Sequence, residues 1–246
     1  MREIFLALMA AALLGGVVLP TSGETIYLYA DFNDQPLDQP IGTGGPELGQ
    51  PIEVDPFIST AVREDPMGSA SLEIRDADDY SAGSVCFELL DGAELSSGRV
   101  VIAADLWFQA LADGYSFFFG VREHGGNAQT FASLNFVYEG SITLRDKQGP
   151  AGMIGRYEIG RRTHLVLDYD LDAGTYSVMV DGSVLVADRA HGVTGRGIGR
   201  LLIGCNNDSD LDGVFNVDLI TVTDTIREVA AATTTWGKVR ASFGRR

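Results

Sequence analysis

"RRTHLVLDYDLDAGTYSVMVDGSVLV", residues 161–186, decides the fold class. It reads as three strands and two turns. "THLVLDYD", "TYSVMV" and "SVLVAD" alternate apolar and polar residues at period two, which sends successive side chains to opposite faces of a sheet. "LDAG" and "VDGS" stand between them and supply the Asp and Gly that tight hairpins require. A chain built this way folds as antiparallel sheet.

The same pattern extends in both directions. "ETIYLYADF" places Ile26, Leu28, Ala30 and Phe32 on one face and Tyr27 and Tyr29 on the other. "RVVIAADLWFQA" does so with Val100, Ile102, Ala104, Leu106 and Phe108. "YSFFFGVRE", "TFASLNFVYE", "SITLRD", "RLLIG" and "VFNVDLITVT" add further strands, separated by turns rich in Gly, Asp and Asn. Ten or more short strands with no helix among them predict an all-β, two-sheet antiparallel sandwich or a barrel. Residues 33–70 hold most of the prolines and read as a long surface connection. Its apolar beads Leu37, Ile41, Leu48, Ile52 and Phe57 are expected to pack as it goes.

The two ends differ from this body. Arg2, the apolar run at residues 4–20 and the small residues around Gly23 read as a secretory signal spanning residues 1–23, with a run short for a spanning helix and an uncleaved N-terminal anchor as the alternative. The mature chain is therefore expected outside the cytoplasm, secreted or in the cell envelope, with no membrane span. Residues 224–246 lose the strand pattern and end in the aromatic, basic "WGKVRASFGRR", read as a short helix, a frayed end or a sorting tag. The formal net charge is −16. Arg2 and Glu3 cancel, and the tail carries five basic against two acidic residues, so the body between them stands at −19. Such a body excludes nucleic acid and anionic lipid as partners through its general field, and it attracts cations. Cys86 and Cys205 form an even count in an exported chain, which favours a disulfide between an early and a late strand. Two buried free thiols in neighbouring strands are the alternative. His124, His164 and His191 are scattered and read as surface or strand residues.

Three stretches carry a family resemblance. Within residues 161–186, "YSVMVDG" (Tyr176 to Gly182) resembles the second strand of the central hairpin of concanavalin A-like and laminin G-like jelly rolls. "GVFNVDLITVTD", residues 213–224, resembles their final strand, and "YADFNDQPLDQPIG" their first strand and leader. "RRTH" occupies the position before the hairpin where these proteins often carry Trp. The resemblance covers the start, middle and end of residues 24–223 and implies a jelly roll of two facing sheets. It also implies a binding or adhesion module for a glycan or an extracellular protein, although members of the superfamily include glycoside hydrolases.

Chemistry is sparse in the sequence. Glycoside hydrolysis needs two converging carboxylates, and no strand carries the alternating acidic pattern. In "EIRDADD", Glu73 and Asp76 have opposite parity, while Asp168, Asp170 and Asp172 lead into a turn and read as a solvated strand end. No nucleophile motif is present, which leaves a hydrolase or polysaccharide lyase as the second alternative, behind a structural envelope-associated protein that packs against protein partners and is sorted by its C-terminal tail. Glycan binding calls for exposed rings. Trp107 has parity opposite to Leu106 and Phe108 and is a candidate platform, with Tyr115, Tyr138 and Tyr169 beside it. "DSDLDG" suggests calcium through Asp208, Asp210 and Asp212, the Val214 carbonyl and Asn216. The twelfth position is Leu219 rather than Glu, so the loop is not an EF-hand, and a strand-linking turn is its alternative. Asp31 and Asp218 are weaker candidates for a second calcium site.

Overall fold

The computed structural model describes residues 25–66, 68–77, 81–110, 116–125, 129–137, 139–206 and 214–224. The signal-like segment and the tail beyond Asp224 lie outside the described residues, as do Asp208, Asp210, Asp212, Tyr115 and Tyr138.

The described residues form fifteen strands: β1 (Ile26–Ala30), β2 (Glu53–Val54), β3 (Ile58–Glu64), β4 (Ala70–Asp76), β5 (Gly83–Glu88), β6 (Arg99–Ala110), β7 (Ser116–Arg122), β8 (Thr130–Val137), β9 (Ser141–Asp146), β10 (Gly149–Arg156), β11 (Arg162–Asp170), β12 (Thr175–Val180), β13 (Ser183–Ala190), β14 (Arg200–Cys205) and β15 (Val214–Thr223). They form two antiparallel sheets. One has the order β13-β12-β11-β6-β15-β4-β3, with β1 also on β15, and the other β10-β9-β8-β7-β14-β5-β2. This is the two-sheet sandwich that the alternation predicts. Among the described residues no helix is long and apolar enough to cross a membrane.

Period two becomes burial almost residue by residue. Val100, Ile102, Ala104, Leu106 and Phe108 of β6 are all sealed in the core, as are Leu28, Ala30 and Phe32. The hairpin between β12 and β13 closes through Asp181 and Gly182, both at positive φ (49° and 77°), with Val180 opposite Ser183. That is the two-residue turn whose twist matches its strands.

Strand β15 contains a bulge that matters outside the core. Val217 pairs with Leu106 and Leu219 with Asp105, leaving Asp218 as an extra residue. Before it Phe215 and Val217 face the core, and after it Ile220 and Val222 do. The extra residue keeps both halves of the strand apolar-side-in while placing Asn216 and Asp218 on the outer face.

Two expectations are corrected. The connection at 33–70 contains β2 and β3, and of its apolar beads Ile41 is buried while Leu37, Leu48 and Phe57 remain exposed. Neither Cys86 nor Cys205 is in a disulfide, and both are buried. Their strands are neighbours, but Cys86 lies opposite Leu202 and Cys205 opposite Gly83, three positions apart in register. Cys205 packs in the core with Leu201 and Ile203, whereas Cys86 has the parity of the outer face. No disulfide can span that arrangement.

Candidate functional site

The outer face of the seven-stranded sheet is assembled from alternate residues of four neighbouring strands. Strand β7, "SFFFGVR", buries Phe117, Phe119 and Val121 and turns Ser116, Phe118, Gly120 and Arg122 outward. Strand β14 buries Leu201, Ile203 and Cys205 and presents Arg200 and Leu202. Strand β5 contributes Ser84, Cys86 and Glu88, and β8 contributes Ser133 and Asn135.

Register places these residues in rows across the sheet. Phe118 lies between Asn135 on β8 and Gly204 on β14. Gly204 is fixed by backbone approach, since a Cβ there would sit 2.0 Å from the Gly83 carbonyl oxygen. Having no side chain, it leaves that flank of the Phe118 ring uncovered. Asn206 donates to Ser116 Oγ at 2.7 Å and to Asn135 Oδ1 at 3.1 Å, fixing amides beside the ring.

Two rows away, about 14 Å along the strands at 3.4 Å per residue, Arg200 stands directly opposite both Glu88 and Arg122. Arg200 donates to Glu88 Oε1 at 3.1 and 3.2 Å, and His124 Nε2 lies 2.7 Å from the same oxygen. The Arg122 Nε is buried without a hydrogen-bond partner among the described residues. Between the rows lies a cleft of about 150 Å³ whose lining includes Asp55, Ser84, Cys86, Arg122 and Leu202. Asp55 Oδ2 accepts from Ser84 N at 2.7 Å and Ser84 Oγ at 2.9 Å. Burial pushes the Cys86 thiol up to about 11, so it stays protonated and is no nucleophile.

The residues singled out by sequence lie mainly on the other sheet. Trp107 does turn outward, between Arg162 and Asn216 in register. Its surroundings form a polar network, in which His164 Nε2 is buried without a hydrogen-bond partner among the described residues. Arg162 Nη2 donates to Asp105 Oδ2 at 2.7 Å and Asp218 Oδ2 at 2.5 Å, and His164 Nδ1 lies 2.8 Å from Asp105 Oδ1. Burial alone would raise the Asp105 carboxyl, but the His164 hydrogen bond and the Arg162 charge outweigh it and hold it below its ordinary value. Asn216 is fully buried, accepts from Gln109 Nε2 and donates to Ser71 Oγ at 3.0 Å, so its amide serves the sheet. Val214 is paired with Ala110 and Arg75. Asp31 accepts from Asn33 and Tyr29. Among the described residues no group of three His, Cys, Asp or Glu could hold a metal ion. Tyr169 is buried in the core, 5.2 Å from the Tyr176 ring, and cannot be a platform. Asp168 pairs with Arg99, while Asp170 and Asp172 accept from turn amides, as a solvated strand end does.

Phe118, Asn135, Arg122 and Arg200 were not singled out from sequence. The outward parity of Phe118 and Arg122 within "SFFFGVR" was the available signal, but three consecutive Phe read as core whichever face each takes.

No protein-family model matches the chain, and no curated protein sequence does. Solved structures share its fold. "Cellulose induced protein, Cip1" superposes with a TM-score of 0.56 at 13% identity, over 80% of this chain and 97% of that one. A mutant Trypanosoma rangeli sialidase displaying trans-sialidase activity gives 0.55 at 15%, over 97% of this chain and 36% of that one. A carbohydrate esterase from Shiga toxin-encoding bacteriophage phi24B gives 0.52 at 13%, over 82% and 99%. The chain spans 17% to 36% of the sialidases' length. At these identities the likeness is one of fold.

Proposed function

We propose that this protein is an exported, non-catalytic glycan-binding module that takes its ligand on the outer face of the seven-stranded sheet. One observation carries the reading: Phe118 is turned outward with Gly204 on one flank and the Asn135–Asn206 amides on the other. Sugar C–H faces stack on such a ring, and amides beside it reach the hydroxyls. The fold neighbours give independent support, since their names refer to sialic acid, cellulose and a carbohydrate esterase. A hydrolytic role is disfavoured by how the carboxylates are held. A general acid must be free to meet the glycosidic oxygen, yet Glu88 is held by Arg200 and His124, Asp55 by Ser84, and Asp105 by Arg162.

A glycan array probed with the purified chain tests this. Binding is expected for the native protein, to be lost in Phe118→Ala and kept in Trp107→Ala. Loss in Trp107→Ala alone would move the site to the eight-stranded sheet, and an array without signal would overturn the reading.

A further inference from the structure

The cleft between the Phe118 row and the Arg200 row changes polarity from one wall to the other. Glu53 and Asp55 line one side and Arg122 and Arg200 the other, with Cys86 and Leu202 between them. A volume of about 150 Å³ admits a charged substituent and part of one ring rather than a whole chain.

Arg122 is the unusual member. The chain has 34 Asp and Glu against 18 Lys and Arg, so carboxylate partners are abundant. Arg63, Arg75, Arg99, Arg161, Arg162, Arg189, Arg196 and Arg200 all have one. Arg145 and Arg156 form no ion pair among the described residues, but both are exposed, where water solvates them. Arg122 is half-buried, its Nε is shielded and orphaned, and a second guanidinium faces it across the strand pair. A shielded donor beside a like charge raises the free energy of the empty protein. An anion that accepts from the donor and lies between the charges would remove both costs.

We infer that the cleft binds the anionic substituent, carboxylate or sulfate, of an acidic glycan, with Arg122 as its anchor. The inference rests on the glycan-binding reading above. A guanidinium fork matches the paired oxygens of either group. Glu53 and Asp55 across the cleft accept from ring hydroxyls, so the two walls suit a molecule that carries both hydroxyls and an acid. The body's overall negative field opposes polyanions in general, so recognition is confined to this one point on the surface.

Calorimetric titration of the full chain with tetragalacturonate, a sulfated carrageenan tetrasaccharide and neutral cellotetraose tests the inference. At least one acidic probe should bind ten-fold or more tighter than cellotetraose. Arg122→Gln should abolish that preference and leave cellotetraose affinity within two-fold, while Arg122→Lys, which keeps the charge and loses the fork, should retain part of it. Tighter binding of the uronate identifies carboxylate as the recognised group, and tighter binding of the carrageenan identifies sulfate. Equal affinity for charged and neutral probes, or a preference that survives in Arg122→Gln, overturns the acidic assignment. Binding of cellotetraose alone overturns it too but leaves glycan binding standing. Silence from all three probes overturns both.

Discussion

If Arg122 is kept for a ligand rather than for the fold, removing its charge should stabilise the free protein. Arg122→Met is the suitable change, because Met keeps an unbranched apolar stem on the sheet and deletes only the guanidinium. Two penalties then disappear. A shielded, unsatisfied donor such as Nε costs about 1–3 kcal/mol. The like charge directly opposite on Arg200 costs about 0.2–1 kcal/mol. Arg122 is half-buried, so water recovers part of the first term, and a net gain of about 1–2 kcal/mol is expected. In a body of some two hundred residues this raises the melting temperature by roughly 2–8 °C. Thermal and urea unfolding in ligand-free buffer measure it, with Arg200→Met as the control. That variant deprives Glu88 of a partner and should lose stability. A loss of 1 kcal/mol or more in Arg122→Met, with an unchanged urea slope, would refute the reasoning, because the guanidinium would then be holding the sheet together.

Other expectations follow from buried charge. Asp146, which accepts from Arg189, Tyr176 and the Gln148 amide, should cost about 2–4 kcal/mol when changed to Asn; a quarter of Arg189 meets solvent, which keeps this below the fully buried range. Burial would raise the Asp146 carboxyl, but its hydrogen bonds from Arg189 and Tyr176 outweigh burial and lower it from the ordinary 3.8. Its stabilisation is therefore complete above that pH and lost as pH falls through the lower folded value, which denaturant midpoints between pH 5 and 2 will show. Burial also holds His191 below 6.5, against Phe131 and with Nδ1 accepting from Val193 N. The unfolded imidazole gains its proton first on acidification, so stability should decline below pH 6.5 by at most about 1.4 kcal/mol per pH unit, and His191→Asn should flatten that segment. For the loop at Asp208–Asp212, melts with calcium and with chelator should differ, and the difference should vanish in Asp210→Ala; identical melts for the native chain leave only the strand-linking turn.

How much was legible depended on whether a signal was local. Alternation in "RVVIAADLWFQA" gave the buried face of β6 correctly because period two is a property of adjacent residues. Strand β10, "GPAGMIGR", was hidden by its Gly and Pro, which an edge strand tolerates because one side of its ladder is unpaired. Strand β3, "ISTAVRE", was absorbed into the proline-rich connection that leads into it. Sequence offered both a disulfide and two buried thiols in neighbouring strands, and only parity and the three-residue offset between β5 and β14 decide for the second. The polar network around Asp105 joins positions 105, 162, 164 and 218, and its last member is placed by a bulge that alternation cannot reveal. Arg122 was overlooked for a related reason: an absent partner becomes visible only once every possible neighbour has a position.

The opposed cysteines also give the molecule two intrinsic reporters. Cys205 lies in the sealed interior and can meet a thiol reagent only when the sandwich comes apart. Cys86 is buried beneath the cleft on the other side of the same sheet, where a small separation of the neighbouring side chains would admit the reagent. Alkylation rates at the two sites thus separate local opening of the cleft from global unfolding in a single sample. A compound lodged in the cleft would slow Cys86 first, well before it altered Cys205, without any label having been introduced.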